Sequence, residues 1–177
     1  MIPTYDEVGE QDEVLAFDAS TLELRLRFGG GKFKREAYGM AVVGEELYVG
    51  DRTAWSLHVF SLAGEHLREL FGEWREPNQL LHVDGRLYLT EQLREIDEDE
   101  VWEQEDDEDE WPYARREAGR RIFVLTPEGQ TLQVWKMPEQ NEVRSMVIFR
   151  NELLVDTLMD DIHNEIVTTQ LLSLAGI

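Results

Sequence analysis

The sequence contains no cysteine, which excludes disulfide bonds, thiolate metal sites and cysteine nucleophiles. It also has no apolar run of the about 18–20 residues that a membrane-spanning helix needs. Basic residues are scarce: 17 lysines and arginines stand against 38 aspartates and glutamates, and the net charge is −21. A field of that sign repels phosphate backbones and anionic lipid surfaces and attracts basic proteins. The composition therefore argues against DNA, RNA and membrane partners and favours other proteins, especially those with basic surfaces.

The first 13 residues are acidic and lack the apolar core of a secretory signal, so we expect residues 1–13 to form a flexible N-terminal segment. The lack of cysteine favours an intracellular location, cytoplasmic or nuclear. Residues 14–177 are expected to form one domain, because 42% of the chain is hydrophobic and can supply a sizeable core.

A stretch of the chain recurs 40 residues later. Residues 39–51 align with residues 79–91 without a gap, and a third copy runs from Met146 to Asp156. Self-similarity at about 40 residues is the sequence sign of repeat architectures, and propeller blades have this length. Each copy reads as two short apolar runs around a turn, which is typical of strands rather than of helices.

A second pattern recurs between these copies. Residues 57–67 align with residues 122–132, and each reads as a strand, a tight turn that ends in a glycine, and another strand. Gly64 and Gly129 are expected to supply the positive φ of these turns. Residues 14–17 and 22–27 form a similar pair with Thr21 in place of the glycine, and residues 170–176 repeat part of the pattern.

In order along the chain, the segments predict two strands, then four, then four, then three. We therefore expect an all-β fold: a small or partial β-propeller-type array of about three to four antiparallel blades with four strands each. Three ways of completing it stay open: residues 22–27 closing the last blade, a second chain completing an arc, or a longer protein. A non-propeller antiparallel sheet or sandwich is the alternative fold.

Four motifs follow one another in the first unit: Phe28-Gly29, Tyr38-Gly39-Met40-Ala41-Val42, Leu47-Tyr48-Val49-Gly50-Asp51, and His58-Val59-Phe60-Ser61 with Gly64. This succession resembles the NHL-repeat family of β-propellers. The resemblance covers residues 14–91 and 120–176, and it implies a propeller fold with one set of motifs per blade. The family's usual Asn-x-Arg-Ile before the third strand is replaced by Thr53-Ala54-Trp55-Ser56 in the first unit, whereas Arg121-Ile122 preserves part of it in the second.

An acidic insertion is predicted in the second unit, within residues 92–119, because the two halves of that unit match the first unit at different offsets. Eleven of the fourteen residues 97–110 are acidic. Such a run is commonly a solvated loop, but aromatic residues beside it favour a docking segment for a basic protein surface. The predicted partner-binding residues are Trp102, Trp111, Tyr113, Asp106, Asp107, Glu108, Asp109 and Glu110. The arginines that follow, Arg115, Arg116, Arg120 and Arg121, could fold back on these acids or pair elsewhere.

No catalytic group, metal site or cofactor is predicted. The best metal candidate is Asp161 with His163, within the polar residues 160–165, yet polar residues are expected in such a loop anyway. Gly29, Gly30, Gly31 and Lys32 lack the Gly-Lys-Ser/Thr ending of a phosphate-binding loop and are predicted to join two blades.

The sequence thus predicts a non-enzymatic protein-binding scaffold, an accessory or structural subunit of a larger assembly. The alternatives are a metal-dependent propeller hydrolase or lyase and an RNA-binding NHL module. The RNA alternative would depend on Lys32, Lys34 and Arg35, the compact basic group near a strand.

Overall fold

The computed structural model describes residues 12–34, 36–92, 119–138, 141–150, 152–159 and 168–174. These residues form thirteen strands and no helix. The strands are β1 (Val14–Phe17), β2 (Leu24–Phe28), β3 (Ala37–Val43), β4 (Glu46–Asp51), β5 (Ser56–Ser61), β6 (His66–Phe71), β7 (Pro77–Val83), β8 (Arg86–Glu91), β9 (Arg121–Leu125), β10 (Thr131–Lys136), β11 (Asn141–Phe149), β12 (Glu152–Met159) and β13 (Thr168–Leu174).

The strands form four antiparallel sheets in chain order. We call β1–β2 the starting hairpin, β3–β6 the first sheet, β7–β10 the second sheet and β11–β13 the end sheet. The predicted succession of two, four, four and three strands is confirmed, as is the all-β fold. In the second sheet β8 and β9 pair directly, although residues 92–120 lie between them in the sequence.

Tight turns connect the strands as their sequences predict. Gly64 and Gly129 have φ of 87° and 86° in the turns β5–β6 and β9–β10. In the β1–β2 turn, which lacks such a glycine, Leu22 takes the left-handed conformation with φ of 58°. The carboxylate of Asp18 supports this turn by accepting hydrogen bonds from the N–H groups of Ser20 and Thr21.

The core lies between the sheets, which pack face to face. One apolar cluster joins the first sheet to the second, with Tyr48 and Leu57 on one side and Leu80 and Phe123 on the other. Another joins the second sheet to the end sheet, and a third joins the starting hairpin to the first sheet. We call the first strand of each of the three larger sheets, β3, β7 and β11, its inner strand. The inner strands follow one another along the array. We call the face of each sheet toward the starting hairpin its near face and the opposite face its far face.

Candidate functional site

The partner-binding residues that the sequence predicts, from Trp102 to Tyr113, lie outside the described residues. So do Arg35, Arg115 and Arg116, and the metal candidate of Asp161 and His163. The structure does describe both strands that flank the predicted insertion, β8 and β9, and their ends carry a buried ion pair.

This ion pair joins Glu91, the last residue of β8, to Arg121, the first residue of β9. Arg121 donates from Nε to Glu91 Oε2 over 2.7 Å and from a terminal nitrogen to Oε1 over 2.6 Å. The backbone N–H of Arg75 donates to Oε1 over 2.6 Å. Burial raises the pKa of Glu91 to about 7, while the Arg121 guanidinium and the Arg75 N–H act to lower it. Of the two outcomes that the sequence left open for Arg121, the structure shows pairing elsewhere, with Glu91.

Asp51 occupies the equivalent position in the first sheet, at the end of β4, and is also fully buried. Its carboxylate accepts hydrogen bonds from the N–H of Lys34 over 2.6 Å and of Ala54 over 2.8 Å. Lys34 and Arg75 both lie in the segment that leads into an inner strand. These two buried acids therefore fix the joints between consecutive sheets. In the end sheet the position is taken by Thr157, which pairs with Val143 as Glu91 pairs with Pro77.

A histidine pair lies on the near face of the first sheet. His58 Nδ1 and His66 Nε2 are 3.0 Å apart, and His58 is almost completely buried. His58 Nε2 lies 3.6 Å from Asp51 Oδ2 and 3.5 Å from Glu69 Oε1. Burial, followed by the nearby His58 and Lys32, lowers the pKa of His66.

His58 Nε2 is buried and has no hydrogen-bond partner among the residues that the structure describes, although the two carboxylates lie near it. Glu69 instead accepts a hydrogen bond from the Ser56 hydroxyl over 2.6 Å. Within the described parts of the chain, no three histidine, aspartate or glutamate side chains are placed to hold a metal ion.

The histidine pair is a feature that the sequence did not reveal. The two residues are eight positions apart, and nothing in that spacing indicates a contact. The contact arises from the pairing of the β5–β6 hairpin. Its register is irregular between Val59 and Phe60, and His66 therefore lies opposite Phe60, two residues from His58.

A second polar network crosses from the first sheet to the second. The buried Tyr48 donates from its hydroxyl to the carbonyl oxygen of Pro127 over 2.9 Å. Arg68 donates to that hydroxyl over 2.8 Å and makes two hydrogen bonds, of 2.6 and 2.7 Å, to Glu46. Because Pro127 lies in the β9–β10 turn, this network ties the outer edge of the second sheet to the first.

Exposed apolar side chains mark the two ends of the array. On β3 the residues Met40 and Val42 are more than half exposed, and on β11 so are Val147 and Phe149. The predicted joint around Gly29–Lys32 lies between β2 and β3, as expected, with Gly29 at a φ of 84°.

Solved structures with the same arrangement of sheets are β-propeller proteins. Hydrazine synthase from Kuenenia stuttgartiensis matches with a TM-score of 0.60 and 13% identity, over 92% of this chain and 40% of that one. Glutaminyl cyclase from Myxococcus xanthus matches with a TM-score of 0.54 and 14% identity, over 86% and 59%. BamB from Moraxella catarrhalis matches with a TM-score of 0.51 and 10% identity, over 81% and 34%.

These similarities show the fold, a β-propeller-type array of which this chain spans a part. The chain covers less than two thirds of each of these three structures. No family model matches the sequence, and a search of curated proteins found no similar sequence. The NHL family in particular therefore stays a prediction from the motifs.

Proposed function

We propose that this chain is a non-enzymatic protein-binding scaffold that serves as an accessory or structural subunit of a larger assembly. The observation that carries the proposal is the use of the buried charged groups: Asp51 and Glu91 bind backbone N–H groups at the joints between sheets. Such acids hold an array in shape, and they are engaged by the protein itself rather than directed at a ligand. A rigid array of this kind presents its surfaces and connecting segments to other molecules.

The acidic segment is the proposed docking site for a basic protein surface. The predicted insertion, residues 92–119, begins directly after Glu91 and ends two residues before Arg121. Its two ends therefore leave the second sheet at the point that the Glu91–Arg121 ion pair holds together. Trp102, Trp111 and Tyr113 would supply buried contact area, and Asp106 and its acidic neighbours would supply attraction and specificity.

The test separates a specific segment from net charge. One variant changes Asp106, Asp107, Glu108, Asp109 and Glu110 to their amides, and a matched control changes five exposed acids elsewhere: Glu45, Glu65, Glu73, Glu128 and Glu152. Both lose the same charge. We expect binding to a fluorescent polylysine peptide, and capture of basic proteins from a lysate at rising salt, to weaken much more in the first variant.

Equal weakening of both variants would show that net charge alone attracts the probe, and the docking segment would be wrong. A third variant, Trp102→Ala with Trp111→Ala, keeps the charge and tests the aromatic contribution. Unchanged capture by this variant would remove the aromatic residues from the proposed site. A shared fold does not by itself imply a shared activity, and the similarity to a glutaminyl cyclase is a similarity of fold.

A further inference from the structure

The inner strands carry one equivalent apolar position in each of three sheets. Met40, Leu80 and Met146 occupy equivalent places on β3, β7 and β11, where they pair with Val49, Leu89 and Val155. Leu80 is 2% exposed and Met146 is 3% exposed, whereas Met40 is 56% exposed. The same apolar position is thus buried in two sheets and open in the first.

The difference comes from what covers each near face. Leu80 packs in the cluster that contains Ala41 and Tyr48 on the far face of the first sheet. Met146 packs in the cluster that contains Tyr88 and Leu81 on the far face of the second sheet. The position is therefore shaped to receive the far face of a preceding sheet.

The starting hairpin covers only part of the near face of the first sheet. Its Val14 and Phe28 pack on Val49 and Phe60 of β4 and β5. The hairpin has two strands, and β3 lies beyond them, so Met40 and its neighbour Val42, which is 51% exposed, stay open.

The opposite end of the array has the matching open face. Val147 and Phe149 lie on the far face of the end sheet and are 54% and 53% exposed. Their equivalents in the second sheet, Leu81 and Val83, pack against the end sheet. In the first sheet the equivalents, Ala41 and Val43, pack against the second sheet.

We propose that a second copy of the chain joins these two faces. The far face of the end sheet, with Val147 and Phe149, packs on the near face of β3, with Met40 and Val42, in the other copy. This contact repeats, between copies, the contact that the chain already makes twice between its own sheets. Because the two faces differ, each contact joins unlike surfaces, and two copies related by a two-fold rotation make this contact twice and close a ring.

One further observation favours a second copy over closure of a single chain. The starting hairpin and the end sheet are separate sheets in the part of the chain that the structure describes.

The first test is the mass in solution. We expect the purified 177-residue chain to have twice the mass of the 20.7 kDa monomer by light scattering, and we expect Met40→Lys or Val147→Glu to give monomers. The control Leu62→Lys changes another exposed apolar residue, in the β5–β6 turn, and should leave the mass doubled. A monomeric wild-type chain would overturn the proposal.

Mixing the variants tests whether each contact joins the two unlike faces. In a mixed dimer of Met40→Lys with Val147→Glu, one contact carries both changes and the other is wild type. Mixing should therefore restore dimers that neither variant forms alone. If instead each face contacts the same face of the other copy, mixing restores no wild-type contact. A mixture that stays monomeric would therefore contradict the ring.

Engineered cysteines distinguish a second copy from self-closure, because the natural chain has no cysteine. Met40→Cys with Val147→Cys in the same chain should give, on mild oxidation, a covalent dimer in denaturing electrophoresis. An internally linked monomer would show closure within one chain, and a ladder of larger species would show an open polymer. Either result would overturn the proposal. Deleting residues 97–110 should leave the dimer intact, so this inference and the docking segment can fail separately.

Discussion

Gln79 and Met146 are joined by two hydrogen bonds between neighbouring inner strands. Gln79 Nε2 donates to the carbonyl oxygen of Met146 over 2.9 Å, and the Met146 N–H donates to Gln79 Oε1 over 2.6 Å. The side-chain amide of Gln79 thus serves the backbone of β11 as a neighbouring strand would. This contact links the second sheet to the end sheet through polar groups rather than through the apolar core.

The first prediction follows from this double hydrogen bond. Gln79→Leu keeps a similar volume but leaves a backbone N–H and a carbonyl of β11 without their partner, so we expect unfolding to cost about 1–3 kcal/mol less. Urea unfolding should show the loss, with Gln133→Leu at an exposed position of β10 as the control. Equal midpoints for the two variants would show that the contact contributes little.

Gly39, which the repeat aligns with Gln79, carries the second prediction. Its φ is 53°, and a Cβ there would clash with the carbonyl oxygen of Asn78 on β7. Gly44 has a φ of 60° but nothing within 4 Å of the added Cβ. Both alanine substitutions bear the backbone cost of about 1 kcal/mol, and only Gly39→Ala also forces β3 away from β7.

We therefore expect Gly44→Ala to lower the melting temperature by a few degrees and Gly39→Ala to lower it far more, or to prevent folding. Similar melting temperatures for the two variants would mean that the inner strands can separate at little cost. The same pair also tests the alignment of inner strands on which the dimer proposal depends.

The third prediction concerns alkaline pH and Tyr48. Burial, with the adjacent Glu46, raises the pKa of Tyr48 to about 12. Since the folded state favours the neutral phenol, the contribution of Tyr48 to stability is complete below pH 10 and is lost as the pH rises toward 12. Tyr48→Phe should cost about 1–2 kcal/mol at pH 8, through the lost bond to Pro127.

Unfolding at a series of pH values measures this contribution. The difference between the wild type and Tyr48→Phe should shrink between pH 10 and pH 11.5, because only the wild type loses the contribution of this phenol. Tyr38→Phe, at an exposed position of β3, is the control. A constant difference across this range would show that Tyr48 titrates alike in the folded and unfolded chain.

The sequence predicts the order of strands because their chemistry is local. Alternating apolar residues, the left-handed turns at Gly64 and Gly129 and the 40-residue period each depend on neighbouring positions. These features were enough to derive four consecutive sheets of two, four, four and three strands. The exposure of apolar side chains on β3 and β11 could be established only from the packed sheets.

The contacts between sheets could not be predicted in the same way. The bond from Tyr48 to Pro127 joins residues 79 positions apart, and the pairing of Arg121 with Glu91 depends on β8 and β9 meeting across residues 92–120. The contact between His58 and His66 depends on one register irregularity in a hairpin. Each is set by three-dimensional packing, for which a single sequence carries no distinct pattern.

The last prediction concerns neutral pH and the buried pair of Glu91 with Arg121. Burial raises the pKa of Glu91 from 4.5 to about 7, so the folded state favours the protonated acid. Its contribution to stability is complete below about pH 4.5 and is lost as the pH rises through 7, with a total on the order of 3 kcal/mol. Glu91→Gln stays neutral at every pH and does not show this loss.

Relative to the wild type, Glu91→Gln should therefore become more stable as the pH rises from 5 to 8. The absolute stability of both proteins also varies with the other acids, so the quantity to measure is the difference in unfolding free energy at each pH. Glu128→Gln, at an exposed turn position, supplies the baseline for losing one negative charge. If the Arg121 guanidinium and the Arg75 N–H outweigh burial, the carboxylate is favoured in the fold, and the difference would change in the opposite direction. The sign of the slope thus decides whether burial or these two donors dominate the pKa of Glu91 in the fold.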